Sequence, residues 1–199
     1  MSDALVPFRM TICGIAELDF HSAAGVTHVL SILGPELPEP GAFAAFPPHR
    51  RLTLRFHDII EPNPDQLAPS REDVENLLAF GRELGEPEGN HLLVHCQAGV
   101  SRSTAAAALI LVQAYPGRPA HEALDAVARI RPRAWPNLRI LEFGDTLLGR
   151  RGEIVAAAAA IYRRTLDRDP SFEELMIDSG RGREVSAALN SQPRSPPRR

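Results

Sequence analysis

Val94-His95-Cys96-Gln97-Ala98-Gly99-Val100-Ser101-Arg102-Ser103-Thr104 follows directly on the apolar pair Leu92-Leu93, and this stretch decides how the chain is read. An apolar run that enters a short glycine-containing turn and then a helix aims several backbone N–H groups at one point, where the helix N-terminus adds partial positive charge. Such a cradle suits an oxyanion, phosphate above all. Arg102 can close it with a bidentate fork of donors, and the same positive field favours the thiolate of Cys96, a nucleophile near neutral pH. The competing reading is a buried, inert thiol, the usual fate of a lone cysteine ending a strand. Three neighbours argue against it: Gly99 stands where the loop must turn, Arg102 where a helix must begin, and Ser103 in that helix's first turn. An arginine with no anion to bind opposes the helix dipole at that position.

Outward from this stretch, runs rich in Leu, Ile, Val and Phe predict strands over Arg9 to Ile15, His28 to Leu33, Leu52 to His57 and His91 to Cys96. Pro69-Ser70-Arg71-Glu72-Asp73 reads as a cap and acidic first turn for a helix reaching Leu84. Further helices are predicted from Arg102 to Tyr115, Pro119 to Ile130, Leu138 to Leu148 and Arg151 to Asp167. Strands alternating with helices imply an α/β fold, a central mostly parallel sheet flanked by helices in three layers, with the Cys96 loop at the carboxyl end of a strand where ligand sites lie. The 199 residues suit one domain, expected over residues 1–177. From residue 178 to 199 the Gly, Ser, Arg and Pro content predicts a mostly disordered tail, and Gly180-Arg181-Gly182 within it follows no strand and is no nucleotide loop.

His95-Cys96-Gln97-Ala98-Gly99-Val100-Ser101-Arg102-Ser103 resembles the phosphate-binding loop of the cysteine-dependent protein tyrosine phosphatases, and most of all their dual-specificity branch. The resemblance runs from about Thr27 to about Leu148 and takes in Thr27-His28-Val29-Leu30-Ser31-Ile32 and Arg131-Pro132-Arg133-Ala134-Trp135-Pro136-Asn137. It implies a phosphoester hydrolase working through a phosphocysteine, with Cys96 as nucleophile and Gln97, Ala98, Gly99, Val100, Ser101 and Arg102 around the phosphate. Ser103 would hydrogen-bond the sulfur, and His95 would orient the loop. Expulsion of an alkoxide or phenoxide needs an acid. The family places an aspartate after the strand preceding the catalytic one, which here is Asp58. Asp65, in the Pro-rich stretch Glu61 to Asp65, is the rival on a loop able to act as a lid, but strand ends hold catalytic groups more rigidly. Asn137 is read as a helix N-cap or as an aid to water or loop positioning, and Trp135 as a core aromatic or pocket wall.

The charge balance narrows the rest. All 22 cationic side chains counted as Lys or Arg are arginine, and a formal net charge of -3 gives no case for nucleic-acid binding. The first ten residues do not form a secretion signal, and the alanine-rich runs Ala105 to Val112 and Ile154 to Ile161 are too short to span a bilayer. Two distant cysteines make neither a disulfide framework nor a zinc site, and the seven histidines show no ligand spacing, so no metal and no cofactor is expected. A nucleophilic thiol favours a reducing compartment, the cytoplasm. Within the loop, Gln97, Ala98, Val100 and Ser101 are uncharged, which weakens a polyphosphorylated lipid substrate, and only two tyrosines are available to wall a deep pocket. The expected substrate is a phosphorylated protein or a small phosphoester, without membrane partner; a phosphatase for lipid or small-molecule esters and a non-catalytic phospho-binding module are the alternatives.

Overall fold

In the computed structural model, which describes residues 8–85 and 89–191, four parallel strands form one sheet in the order β1-β4-β2-β3. They are β1 (Arg9–Gly14), β2 (His28–Leu33), β3 (Arg50–Arg55) and β4 (His91–Cys96). The predicted parallel α/β class is the observed one. Strand β4 sits between β1 and β2 and is buried on both faces, as a near-continuous apolar strand of a parallel sheet must be. Its alternate residues separate: Leu92, Val94 and Cys96 face the main core, whereas Leu93 joins Leu18, Val26, Val29 and Phe46 on the other side.

The two faces are covered unequally. Seven α-helices belong to the main-core side among the described residues: α1 (Arg71–Arg82), α2 (Arg102–Ala114), α3 (Ala120–Ile130), α4 (Leu138–Leu147), α5 (Glu153–Arg168), α6 (Ser171–Asp178) and α7 (Gly182–Asn190). The opposite face is closed by two short 3-10 segments, Ile15–His21 and Gly41–Ala45. Helix α2 is buried from Arg102 to Val112, because it runs behind the sheet with α1, α3 and α4 around it, and its run of alanines allows those neighbours close. Helix α5 packs outside α3 and α4 and carries α7 on its flank. Ser70 begins α1 as predicted: its hydroxyl accepts from Asp73 N at 3.1 Å, and Asp73 returns a bond to Ser70 N at 2.8 Å.

Within the stretch expected as a disordered tail from residue 178, residues 182–190 instead form α7. Gly180 adopts φ +73 and lets the chain leave α6 through a left-handed turn, with Gly180 N bonded to Ile177 O and Arg181 N to Met176 O. Val185 and Ala188 then bury one side of α7 in the main core. A composition read as solvated tail thus hides an amphipathic helix too short for its period to stand out. The Pro-Arg-Ser-Pro-Pro-Arg segment expected as tail lies outside the described residues. No described helix is long and apolar enough to cross a membrane.

Candidate active site

Strand β4 delivers Cys96 to the carboxyl edge of the sheet, and the chain reverses over residues 97–101 before α2 begins. Each carbonyl of this loop is taken up by surrounding protein. Gln97 O accepts from Ile15 N (3.1 Å), Ala98 O and Gly99 O from the Arg131 guanidinium (both 3.0 Å), Val100 O from Trp135 N (2.9 Å), and Ser101 O from Ala105 N (3.0 Å). None of the five backbone N–H groups of Gln97 to Ser101 donates to a described residue. Carbonyls engaged by the protein and amides left over are the polarity of an anion nest. Two glycines permit it. Gly99 has φ +70, and a Cβ there would lie 2.4 Å from the Cys13 carbonyl carbon and 2.6 Å from Gly14 N; a Cβ on Gly14 would lie 2.9 Å from Gln97 O. Loop and strand β1 therefore touch backbone to backbone.

At the floor of the loop Cys96 is buried, its Sγ 3.2 Å from Ser103 Oγ. Arg102 is buried as well; one guanidinium nitrogen donates to Phe56 O at 2.7 Å, and its Nε has no partner among the described residues. A buried guanidinium N–H left unpaired costs free energy unless an anion takes it. His95 hydrogen-bonds Ser31 Oγ at 2.7 Å through Nε2. Its burial lowers the imidazole to a pKa of about 4, so the ring is neutral at pH 7 and acts as a fixed support beneath the loop. The second cysteine, Cys13, pairs in register with His95 and faces the other side of the sheet from Cys96; burial, then the charge of Glu17, pushes its thiol up to about 12.

Asp58 stands three residues past β3, on a loop pinned by His57, whose N donates to Leu67 O (2.8 Å) while its Nδ1 accepts from Leu67 N (2.9 Å). Its Oδ1 accepts from Ser101 Oγ at 2.7 Å, Asn137 Nδ2 at 2.8 Å and an Arg181 guanidinium nitrogen at 3.2 Å. Oδ2 takes no bond from a described residue, and the side chain is 32 % exposed. One oxygen is anchored and the other is free to exchange a proton with a bound group. Asp65 is exposed in the turn built by Asn63 and Gln66 and makes no contact with this cluster. Asn137 is the N-cap of α4, its Oδ1 accepting from Ile140 N (3.2 Å), and its amide also donates to Asp58 Oδ1 (2.8 Å) and to Ile59 O (3.3 Å) on the loop after β3. Trp135 is a core aromatic, packed at a tilt against the Tyr162 and Phe172 rings. Ser101, read from the sequence as part of the phosphate surround, turns its hydroxyl to Asp58.

Arg181 and Glu184 escape sequence reasoning entirely. Arg181 is buried and donates from Nε and a terminal nitrogen to both oxygens of Glu184 (2.8 and 2.7 Å), and to Ser101 Oγ at 3.0 Å. Glu184, fully buried, also accepts from Leu138 N (2.9 Å) and from the Trp135 indole. Burial pushes the Glu184 carboxyl up, against the pull of Arg181; for Arg181 the bond and charge of Glu184 outweigh burial and raise it. Among the described residues the carboxylate meets donors alone, which favour its charged form against the burial. Among the described residues no group of three or more His, Cys, Asp or Glu is placed to hold a metal ion.

No family model and no curated protein matches the chain. Solved structures do. Human DUSP28 superposes with a TM-score of 0.55 at 19 % identity, covering 73 % of this chain and 97 % of its own. DUSP15 gives 0.52 at 21 % identity, covering 80 % and 94 %. The human tyrosine phosphatase-like serine/threonine/tyrosine-interacting protein gives 0.50 at 19 % identity, covering 74 % and 95 %. The chain therefore has the fold of the dual-specificity branch of the cysteine-dependent phosphatases.

Proposed function

We propose that the chain is a phosphoester hydrolase that works through a phosphocysteine, acting on phosphorylated protein as a tyrosine or dual-specificity phosphatase. The observation that carries this reading is the polarity of the 97–101 loop: its carbonyls are all engaged outward, its N–H groups and the buried Arg102 Nε have no partner among the described residues, and the Cys96 sulfur lies at its floor. The thiolate attacks phosphorus as the P–O bond to the leaving group breaks, while loop amides and Arg102 hold the equatorial oxygens. Asp58 gives its Oδ2 proton to the departing oxygen. The carboxylate so formed then takes a proton from water, whose oxygen attacks phosphorus and expels the Cys96 thiolate, releasing inorganic phosphate. Ser103 stabilises that thiolate from 3.2 Å.

Protein over polyphosphorylated lipid is supported by the loop's side chains, since Gln97, Ala98, Val100 and Ser101 offer no cation for a second phosphate. The test is hydrolysis of p-nitrophenyl phosphate in EDTA, followed by phosphotyrosine and phosphothreonine peptides against inositol phosphates. Cys96→Ser and Arg102→Ala should each lose about a thousandfold or more, within the range seen for a nucleophile or a charge clamp. Undiminished turnover by Cys96→Ser would end the reading, and faster hydrolysis of inositol phosphates than of peptides would replace the substrate class.

A further inference from the structure

We propose that Arg181, reaching back from the turn between α6 and α7, is a positioning residue that fixes the general acid Asp58 to the phosphate loop. The proposal rests on the reading of Asp58 as the acid. Arg181 bonds to both halves of the site at once, to Asp58 Oδ1 at 3.2 Å and to Ser101 Oγ at 3.0 Å, and the Ser101 hydroxyl passes its own proton on to the same Asp58 oxygen at 2.7 Å. This closes a three-membered ring of bonds. Because the Ser101 hydroxyl accepts from Arg181, its one proton is committed to Asp58. The distance from acid to loop is therefore set by covalent stems and hydrogen bonds, with no movable lid between them.

Arg181 is itself held on both sides of its guanidinium. Glu184 grips it through two parallel bonds of 2.8 and 2.7 Å and is gripped in turn by Leu138 N and the Trp135 indole. A bidentate pair in a dry site has one geometry. Helix α7 also reaches the same loop with Arg183, which donates to Glu61 and to Ile60 O. The last described helix thus brackets the stretch carrying the acid from Asp58 to Glu61. Orientation of this kind is worth large factors, since a displacement of about 1 Å can cost about a hundredfold in rate.

The test compares the full chain with Asp58→Asn, Arg181→Ala, Arg181→Lys and Arg181→Gln/Glu184→Gln on two aryl phosphates, one with a good leaving group (2,4-dinitrophenyl) and one with a poor one (phenyl). The double variant removes both charges and leaves one amide oxygen as acceptor for either Leu138 N or the Trp135 indole, so it is the second variant to use if Arg181→Ala fails to fold; thermal melts report which variants are folded. For the Arg181 variants, kcat on phenyl phosphate should fall about tenfold to a hundredfold while the dinitrophenyl ester falls less than about threefold and KM barely moves. Lysine should recover only part of the loss, since one ammonium cannot hold Glu184 bidentately and also reach Ser101 and Asp58. Arg181→Ala placed on Asp58→Asn should add no further leaving-group dependence. Equal losses on both esters in a folded Arg181 variant, or none, would overturn the proposal while leaving Asp58 as the acid. Equal losses for Asp58→Asn itself would overturn the acid assignment, and a wild type that hydrolyses neither ester would overturn the phosphatase reading.

Discussion

Residues 96 to 103 place a thiol, the proposed oxyanion cradle, an arginine and a hydroxyl beside the sulfur on one unbroken stretch, whereas Asp58 is held by side chains from residues 101, 137 and 181. The cradle depends on backbone, with side-chain contributions from Cys96, Arg102 and Ser103, and Ser101 ties it to Asp58. The proposed acid depends on side chains, arriving from the 97–101 loop, the cap of α4 and the turn before α7. A site of the first kind fails when backbone geometry changes. One of the second kind fails when any distant element shifts, which makes it the more adjustable half.

The sharpest way to break the backbone half is Gly99→Ala. The added methyl meets Cys13 and Gly14 backbone at 2.4 to 2.7 Å, and neither strand nor loop can retreat without moving the Cys96 floor. Left-handed φ adds about 1 to 2 kcal/mol of strain for an L residue. The expectation is a loss of about a hundredfold or more in kcat/KM on good and poor leaving groups alike, with a lowered Tm. Uniform loss would set this variant apart from the Arg181 variants, whose loss should grow with leaving-group basicity; a Gly99→Ala enzyme sensitive only to poor leaving groups would erase the distinction between the two halves.

The same contrast explains what could be read from the chain alone. The strands His28–Leu33 and His91–Cys96 and the start of α2 fall where apolar runs and turn residues place them. The proposed cradle could be read from the chain because its residues are contiguous. Asp58 could be proposed because it follows a strand that leads toward the loop, and the N-cap role of Asn137 could be read because capping is local. Arg181 and Glu184 could not be, since nothing near Gly180-Arg181-Gly182 distinguishes a buried ion pair from a solvated tail. The one local signal, Val185 and Ala188 three apart after an Arg-Glu step, spans a single helical turn. Which helix packs against α5, and so brings residue 181 to residue 58, is a long-range outcome of core packing.

Support beneath the cradle should show in pH dependence of stability rather than of rate. The native His95 imidazole has a pKa lowered from 6.5 to about 4 by burial, while the unfolded chain titrates near 6.5. Between those values the unfolded state binds a proton that the native state refuses, so stability is fully present above pH 6.5 and is lost as pH falls toward about 4, by roughly 3 kcal/mol from this group. His28 and His91, also lowered by burial, act in the same direction. Comparison with His95→Gln isolates the one ring, because glutamine cannot titrate but can still bond Ser31. The stability gap between wild type and variant, measured by urea unfolding, should narrow as pH falls from 7 to 4.5. A gap that stays constant would mean that His95 is as easily protonated folded as unfolded, and that the loop rests on something other than a neutral ring.

The smallest effect is expected at the outer rim, where Arg131 bonds Ala98 O and Gly99 O and pairs with Glu17 at 2.8 Å. This Arg–Glu pair resembles Arg181–Glu184 in form, and Arg131 lowers the Glu17 carboxyl through hydrogen bonding. Its setting differs. The Glu17 side chain is 39 % exposed, against none for Glu184, so water screens the pair and can take over the two loop carbonyls when the guanidinium is gone. Arg131→Gln should therefore raise KM by about threefold, leave kcat within about twofold on both leaving groups, and lose even that difference in high salt, where exposed pairs contribute little. Steady-state kinetics at low and high ionic strength decide it. A hundredfold fall in kcat confined to phenyl phosphate would show that the rim, too, governs Asp58, and that burial does not distinguish the two clamps.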